Sequence, residues 1–403
     1  MQFTNFEGSM NSQNADLAVC RSVLPFATRT ARERHVTAVF DVDERAILAL
    51  QAVAGLGSTV LASIEMNLLA HGQSHWPEPQ MICHDLALVA PMSNLIPPVL
   101  LETTGRHGAK EFKAVWALDG AGCIVVTDGR ARVLSGWTDG VVTALSGNRD
   151  QIVMAMVPAT TSSQVEIRVA STSATGQADW IALGAGGLPC ADWEVVTALA
   201  LFQGAVYAAK ANVRSGFEIW RAPVDPASGA WTCAVPRGGR RYAASPSVSA
   251  FAIADDRLFV AATGADRSQL NVGDEYPEIL CIDASGIWSL FCGRDRFSPE
   301  GLLQSTAPGG PAAAHCAGMS IGGLRSEGGG LVVWLKPLDS EQTSARVLSW
   351  HPDAGWNLVR MVSVGDMDVL TLAAPEGGLC MVTTSVEIGA DGPAIKPVLI
   401  AQS

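Results

Sequence analysis

The sequence predicts an all-β protein of short four-stranded antiparallel sheets set in a circle, and three observations predict it. Short apolar runs alternate with turns from end to end; 40 Gly and 21 Pro accompany 48% hydrophobic and only 16% charged residues; and one strand-and-turn grammar recurs seven times. A length of 403 residues exceeds an ordinary small domain, yet repeat folds run this long as one unit. The chain therefore reads as one domain over 1–403.

The units open near residues 46, 112, 141, 194, 246, 317 and 367. The first is AILALQAVAGLGSTVLASIE with QMICHD, and the second is FKAVWALDGAGCIVVTDG with RARVLSGW. The third runs from Val141 to Leu183. The fourth, Glu194 to Val235, is the clearest: VVTALAL, then AVYAAK after a Gln-Gly turn, then FEIWRAPV, then WTCAV after the Asp225 to Gly229 turn. The same grammar returns over Val248 to Phe291 and Met319 to Val359. In these three units an Asp is followed by small residues, a Gly and then a Trp. The seventh, DVLTLAAPEGGLCMVTT with PAIKPVLIAQS, stops after three strands. Residues 15–40, which contain ADLAVCRSVLPF, are expected to close that last unit with an outer strand.

A four-stranded unit of this size leaves both faces apolar, and radial stacking covers each face with a neighbour. The repeated "apolar strand, Gly, YA, loop, EIWR, D-x-x-G-x-W" pattern resembles the bacterial β-propeller superfamily, especially divergent sialidase-like blades. The resemblance covers nearly the whole chain and implies a seven-bladed β-propeller. The Ser-x-Asp-x-Gly-x-x-Trp box and arginine triad of true sialidases are absent, so it does not imply their activity. Kelch and WD signatures are absent too.

A net charge of −12 and the lack of any Lys/Arg-rich run argue against nucleic-acid partners. Nine cysteines stand singly, without a CxxC pair, which fits neither a disulfide framework nor a thiolate zinc site and points to a reducing, cytoplasmic setting, while the resemblance implies a bacterial one. The N-terminus lacks the basic start and apolar core of a secretory signal. Ala46 to Ile64 is apolar enough to raise a membrane helix, but Gln51, Gly55, Gly57, Ser58 and Thr59 interrupt it, so no membrane partner is expected. Without GxSxG, GxGxxG or a P-loop, neither serine-hydrolase chemistry nor a nucleotide cofactor is expected.

In a propeller the second-to-third strand loops and the connections between sheets share one rim, at the mouth of the central channel, where small-molecule sites gather. Three constellations are expected there. HGQSHWPEPQMICHD holds His71, His75, Trp76, Glu78 and His84. Imidazoles with carboxylates serve as general acid and base, and His71, His75 and His84 are the candidate ligands of a divalent metal. His107 joins them as a proton carrier. A second element, EYPEILCID, repeats the aromatic-Pro-Glu theme with Glu275 and Tyr276. Third, Arg214, Arg237, Arg240, Arg241, Arg267, Arg294 and Arg296, with Tyr242, would form a positive funnel, because guanidinium groups bind carboxylate or phosphate through paired hydrogen bonds. The implied function is binding of an anionic or aromatic small molecule at the channel mouth, with acid–base chemistry of lyase, cyclase or hydrolase type. The contrasting function is a noncatalytic protein- or glycan-binding module.

Overall fold

The computed structural model describes the strands between residues 19 and 402 and, with connections and side chains, most of residues 140–361. The described residues form antiparallel sheets and contain no α-helix. After β1 (Val19–Ser22), the first sheet holds β2 (Arg34–Val42), β3 (Arg45–Ala52), β4 (Val60–Glu65) and β5 (Gln80–Cys83). The second holds β6 (Val99–Thr104), β7 (Lys110–Leu118), β8 (Gly122–Thr127) and β9 (Arg130–Leu134). The third has β10 (Gly140–Gly147), β11 (Gln151–Pro158) and β12 (Gln164–Ser171), whose outer edge is shared by β13 (Ile181–Ala182) and β14 (Leu188–Pro189).

The fourth is β15 (Val195–Phe202), β16 (Ala205–Ala211), β17 (Glu218–Pro223) and β18 (Thr232–Val235). The fifth is β19 (Ser247–Ala254), β20 (Arg257–Thr263), β21 (Glu278–Ile282) and β22 (Trp288–Cys292). A two-stranded ribbon, β23 (Arg296–Ser298) and β24 (Gly301–Leu303), leads to the sixth: β25 (Met319–Glu327), β26 (Gly330–Pro337), β27 (Ser344–His351) and β28 (Gly355–Ser363). The last sheet holds β29 (Val369–Ala373), β30 (Leu379–Gly389) and β31 (Gly392–Gln402), and β1 pairs with β31 as its outer strand. The register sets Val19 opposite Gln402 and Ser22 opposite Leu399.

Strand periodicity builds the core between sheets rather than within them. Along β11, Ile152, Met154 and Met156 pack toward the second sheet, while Val153 and Ala155 pack toward the fourth. The same split occurs in β16, where Val206 and Ala208 face the third sheet and Ala205, Tyr207 and Ala209 face the fifth. Side chains of period two thus bury both faces of the middle strands, which read as unbroken apolar runs. Four consecutive inter-sheet cores result, linking the second sheet through to the sixth.

The tryptophans of the recurring turn lock each sheet to the one before it. Trp231 of the fourth sheet packs in the core shared with the third and donates its indole N–H to Leu183 O at 3.2 Å. Trp288 sits against the core between fourth and fifth sheets, and Trp356 against that between fifth and sixth. The Asp that opens the turn fixes its geometry. The Asp283 carboxylate accepts from Ser285 N, Ser285 Oγ and Ile287 N, so its pKa falls, the Ser285 hydroxyl contributing most. Gly286 takes φ +84°, which suits glycine. In the same way Gln203 and Gly204, at φ 49° and 69°, close the two-residue β15–β16 turn.

First strands of successive sheets touch in the sequence β6, β10, β15, β19, β25, β29, β2. The last sheet therefore lies against the first. Strands of the third to sixth units fall where the turns placed them, but the first two sheets begin one strand earlier than the repeat implied. Arg34–Val42 opens the first sheet, although it overlaps the stretch expected to close the last one, and Arg45–Ala52 is the second strand. Val99–Thr104 likewise precedes Lys110–Leu118. The apolar stretch 46–64 is divided between β3 and β4. No helix among the described residues is long and apolar enough to cross a membrane.

Candidate functional site

Antiparallel order places second-to-third connections and inter-sheet connections on one edge of the sheets, and first-to-second and third-to-fourth connections on the other. The former edge is best described around the fourth sheet. There Phe217 N–H donates to Ser245 O (2.9 Å), Asn212 N–H to Pro246 O (2.8 Å) and Gly238 N–H to Phe217 O (2.6 Å). The β16–β17 loop and the β18–β19 connection are thereby sewn together.

A charged cluster sits beneath this surface. Lys210, near the end of β16, is buried and pairs with Glu194 Oε2 at 3.0 Å and Glu218 Oε2 at 3.1 Å. Glu194 also accepts from Ala191 N (2.9 Å) and from Asn212 Nδ2 (2.6 Å), and Glu218 accepts from the Trp220 indole at 3.0 Å. Burial alone would lower the Lys210 pKa, but the hydrogen bonds to Glu194 and Glu218 outweigh it and raise the pKa. Burial likewise pushes Glu194 up, and its bonds from Ala191, Lys210 and Asn212 bring it below the usual value. The ammonium is thus held protonated, which makes it a poor nucleophile and a firm tie between the third-to-fourth connection and the fourth sheet. Neighbouring Cys190 is no nucleophile either, since burial pushes its thiol to about 11.

Above the cluster lie cations of a different kind. The Arg214 guanidinium stacks 4.3 Å from the ring centroid of Trp193, which is 53% exposed. Arg237 is exposed and takes φ 45°, at the head of a short 3₁₀ turn, Arg237–Arg240, whose Gly238 and Gly239 also have positive φ. Neither guanidinium has a carboxylate partner among the described residues, whereas Arg168 and Arg257 are paired with Glu166 and Asp255. Left-handed backbone at a non-glycine residue costs energy and tends to persist where function requires it.

The remaining sequence candidates divide by connectivity. His71, His75, Trp76, Glu78, His84, His107, Arg241, Tyr242, Arg267, Glu275, Tyr276 and Arg294 lie outside the described residues, and of Arg240 and Arg296 only the backbone is described. Arg241 and Tyr242 follow β18, Arg267, Glu275 and Tyr276 join β20 to β21, and Arg294 follows β22, all connections of the Arg214 edge. His84 follows β5 on the same edge. His71, His75, Trp76 and Glu78 instead join the third strand of the first sheet to its fourth, and His107 joins the first strand of the second sheet to its second. The strand β5, about 13 Å long for its four residues, separates His71 and His75 from His84 in the chain. Among the described residues no group of His, Cys, Asp and Glu forms a metal-binding cluster.

Lys210, Glu194, Asn212 and Trp193 were not singled out by the sequence. Only a Lys closing the apolar run AVYAAK hinted at them, since a buried lysine requires partners. At the same edge of the fifth sheet, buried Glu278 opens β21 as Glu218 opens β17, but faces Ala262 across the strands where Glu218 faces Lys210.

No protein-family model matches the chain, and no curated protein matches it. Solved structures resemble it at low identity. The β-propeller domain of the Trilobed protease from Pyrococcus furiosus is 6% identical, covering 90% of this chain and 95% of that one, with a TM-score of 0.47. A puromycin-hydrolyzing peptidase of Mycobacterium tuberculosis is 12% identical, covering 91% of this chain and 51% of that one, with a TM-score of 0.50. BamB from Moraxella catarrhalis is 10% identical, covering 92% and 86%, with a TM-score of 0.43. The chain spans about half the length of the peptidase. The first of these is described as a β-propeller domain, and at these identities the likeness concerns fold alone.

Proposed function

We propose that the sheets close into a seven-bladed ring and that the edge carrying Arg214 and Arg237 binds an anionic or aromatic small molecule at the channel mouth. The observation that supports this is the state of those two arginines. In a chain of net charge −12, they stand exposed on adjoining, hydrogen-bonded loops with no carboxylate partner among the described residues, while buried Lys210 nearby holds two. An unpaired guanidinium fork at a rim is suited to carboxylate or phosphate. In the same reading Arg240, Arg241, Arg267, Arg294 and Arg296 extend the funnel. His75, His84, His107, Glu78 and Glu275, the acid–base candidates, would supply lyase, cyclase or hydrolase chemistry.

A ligand bound only by the folded state raises its melting temperature, by the equivalent of about 2.7 kcal/mol at a hundredfold excess over Kd. Thermal-shift screening against carboxylated and phosphorylated metabolites should give stabilising compounds whose effect is lost in the Arg214→Ala/Arg237→Ala double variant. Absence of any stabilising anion, or full stabilisation in the double variant, would refute the proposal.

A further inference from the structure

Resting on that reading, we propose that the Arg214–Trp193 stack is a subsite for a flat carboxylate, one whose acid group is conjugated to an aromatic ring, in preference to a phosphate or a puckered acid. The two residues come from different connections, and one buried hydrogen bond holds both in place. Asn212 Oδ1 accepts from Arg214 N and Ser215 N, each at 2.9 Å, which fixes the backbone that carries the arginine. The same side chain, through Nδ2, donates at 2.6 Å to Glu194, the residue that follows Trp193. The indole and the guanidinium are therefore positioned from beneath by Asn212 and Glu194, and Lys210 locks Glu194 in turn. Little ordering is left for a ligand to impose.

The stack also sets the plane of recognition. With its carbon 4.3 Å from the indole centroid, the guanidinium lies over the ring, and it has no carboxylate partner among the described residues. A bidentate carboxylate lies in the guanidinium plane. A ring conjugated to that carboxylate shares the plane, and exposed Val213 and Val195, 63% and 37% accessible, stand in the chain one residue before Arg214 and two after Trp193. Among the described residues neither Glu194 nor Glu218 pairs with the arginine: both Glu194 oxygens are taken by Lys210, Asn212 and Ala191, and Glu218 Oε2 by Lys210 and Trp220. A tetrahedral phosphate meets the same fork without the flat apolar body.

The test is calorimetric titration of the full chain with 2-naphthoate, cyclohexanecarboxylate and inorganic phosphate, in the wild type and in the exposed-site variants Trp193→Leu and Arg214→Lys. Naphthoate should bind at least about tenfold more tightly than cyclohexanecarboxylate or phosphate, and each variant should weaken naphthoate about tenfold with an unchanged far-ultraviolet circular dichroism spectrum. Equal affinity for the two ring acids, or naphthoate binding untouched by Trp193→Leu while Arg214→Lys weakens every anion, would overturn the flat-carboxylate subsite and leave the anion-binding rim standing. No binding of any of the three overturns the subsite as well, and metabolite screening then decides separately on the rim.

Discussion

Lys210 illustrates how one residue supports the rim without taking part in chemistry. Its side chain is 8% exposed and its partners Glu194 and Glu218 are 9% and 22% exposed, so removing the ammonium strands two carboxylates in a poorly solvated place. Lys210→Met is expected to cost about 3 kcal/mol, at the low end for breaking a buried pair. The pH dependence follows from the directions of the two shifts. Glu194 is lowered, so its contribution is present above the unfolded carboxylate value, about 4.3, and fades as pH falls through the folded value. Lys210 is raised, so its contribution is present below the unfolded value, about 10.4, and fades as pH rises through the folded one. The melting-temperature gap between wild type and Lys210→Met should therefore be widest from about pH 5 to 10 and shrink on both sides. A gap independent of pH would mean that the cluster is held by packing rather than charge. None of this was legible in the sequence beyond a lysine at the end of an apolar run, because its partners lie 16 positions before it and 8 after it, on other elements.

At the scale of elements, backbone and indole meet closely within the sixth sheet. Gly323 of β25 lies across from Trp334 of β26, and a Cβ on Gly323 would fall within the indole ring. Gly204, by contrast, sits in an open turn with nothing near its missing Cβ, and only its φ of +69° disfavours a side chain. Chemical denaturation should therefore show Gly323→Ala losing at least about 3 kcal/mol and Gly204→Ala about 1. Equal losses would contradict the packing described for the sixth sheet. Strands were legible wherever a turn carried its own chemistry: Gln203-Gly204, the Asp225 to Gly229 turn, and Asp283 to Trp288 all mark true hairpins. The first two sheets lacked such marks. Asp43 and Glu44, without a glycine, separate β2 from β3, and β6 carries Glu102 among its apolar residues, so both first strands passed for connections. His75, Glu78 and His107 lie outside the described residues.

For the molecule as a whole, stability is distributed over a series of inter-sheet cores, each dependent on its neighbours, so the ends of the chain have to be dealt with. The stacking of the second to sixth sheets was legible because their middle strands read as apolar on both faces. The proposed ligand was not legible, since loop residues obey no period. The last sheet is completed by only four residues of β1 along the edge of β31, in a register that sets Cys20 opposite Ala401. Because Cys380 also lies opposite Ala401 on the other side, its removal leaves one thiol within reach of a cysteine placed at 401. The decisive measurement is mass-spectrometric mapping of the oxidised Ala401→Cys/Cys380→Ala variant. A closed ring predicts an intrachain disulfide joining residues 20 and 401 in monomeric protein. Free thiols at both positions, or pairing of either with any other cysteine, would contradict it.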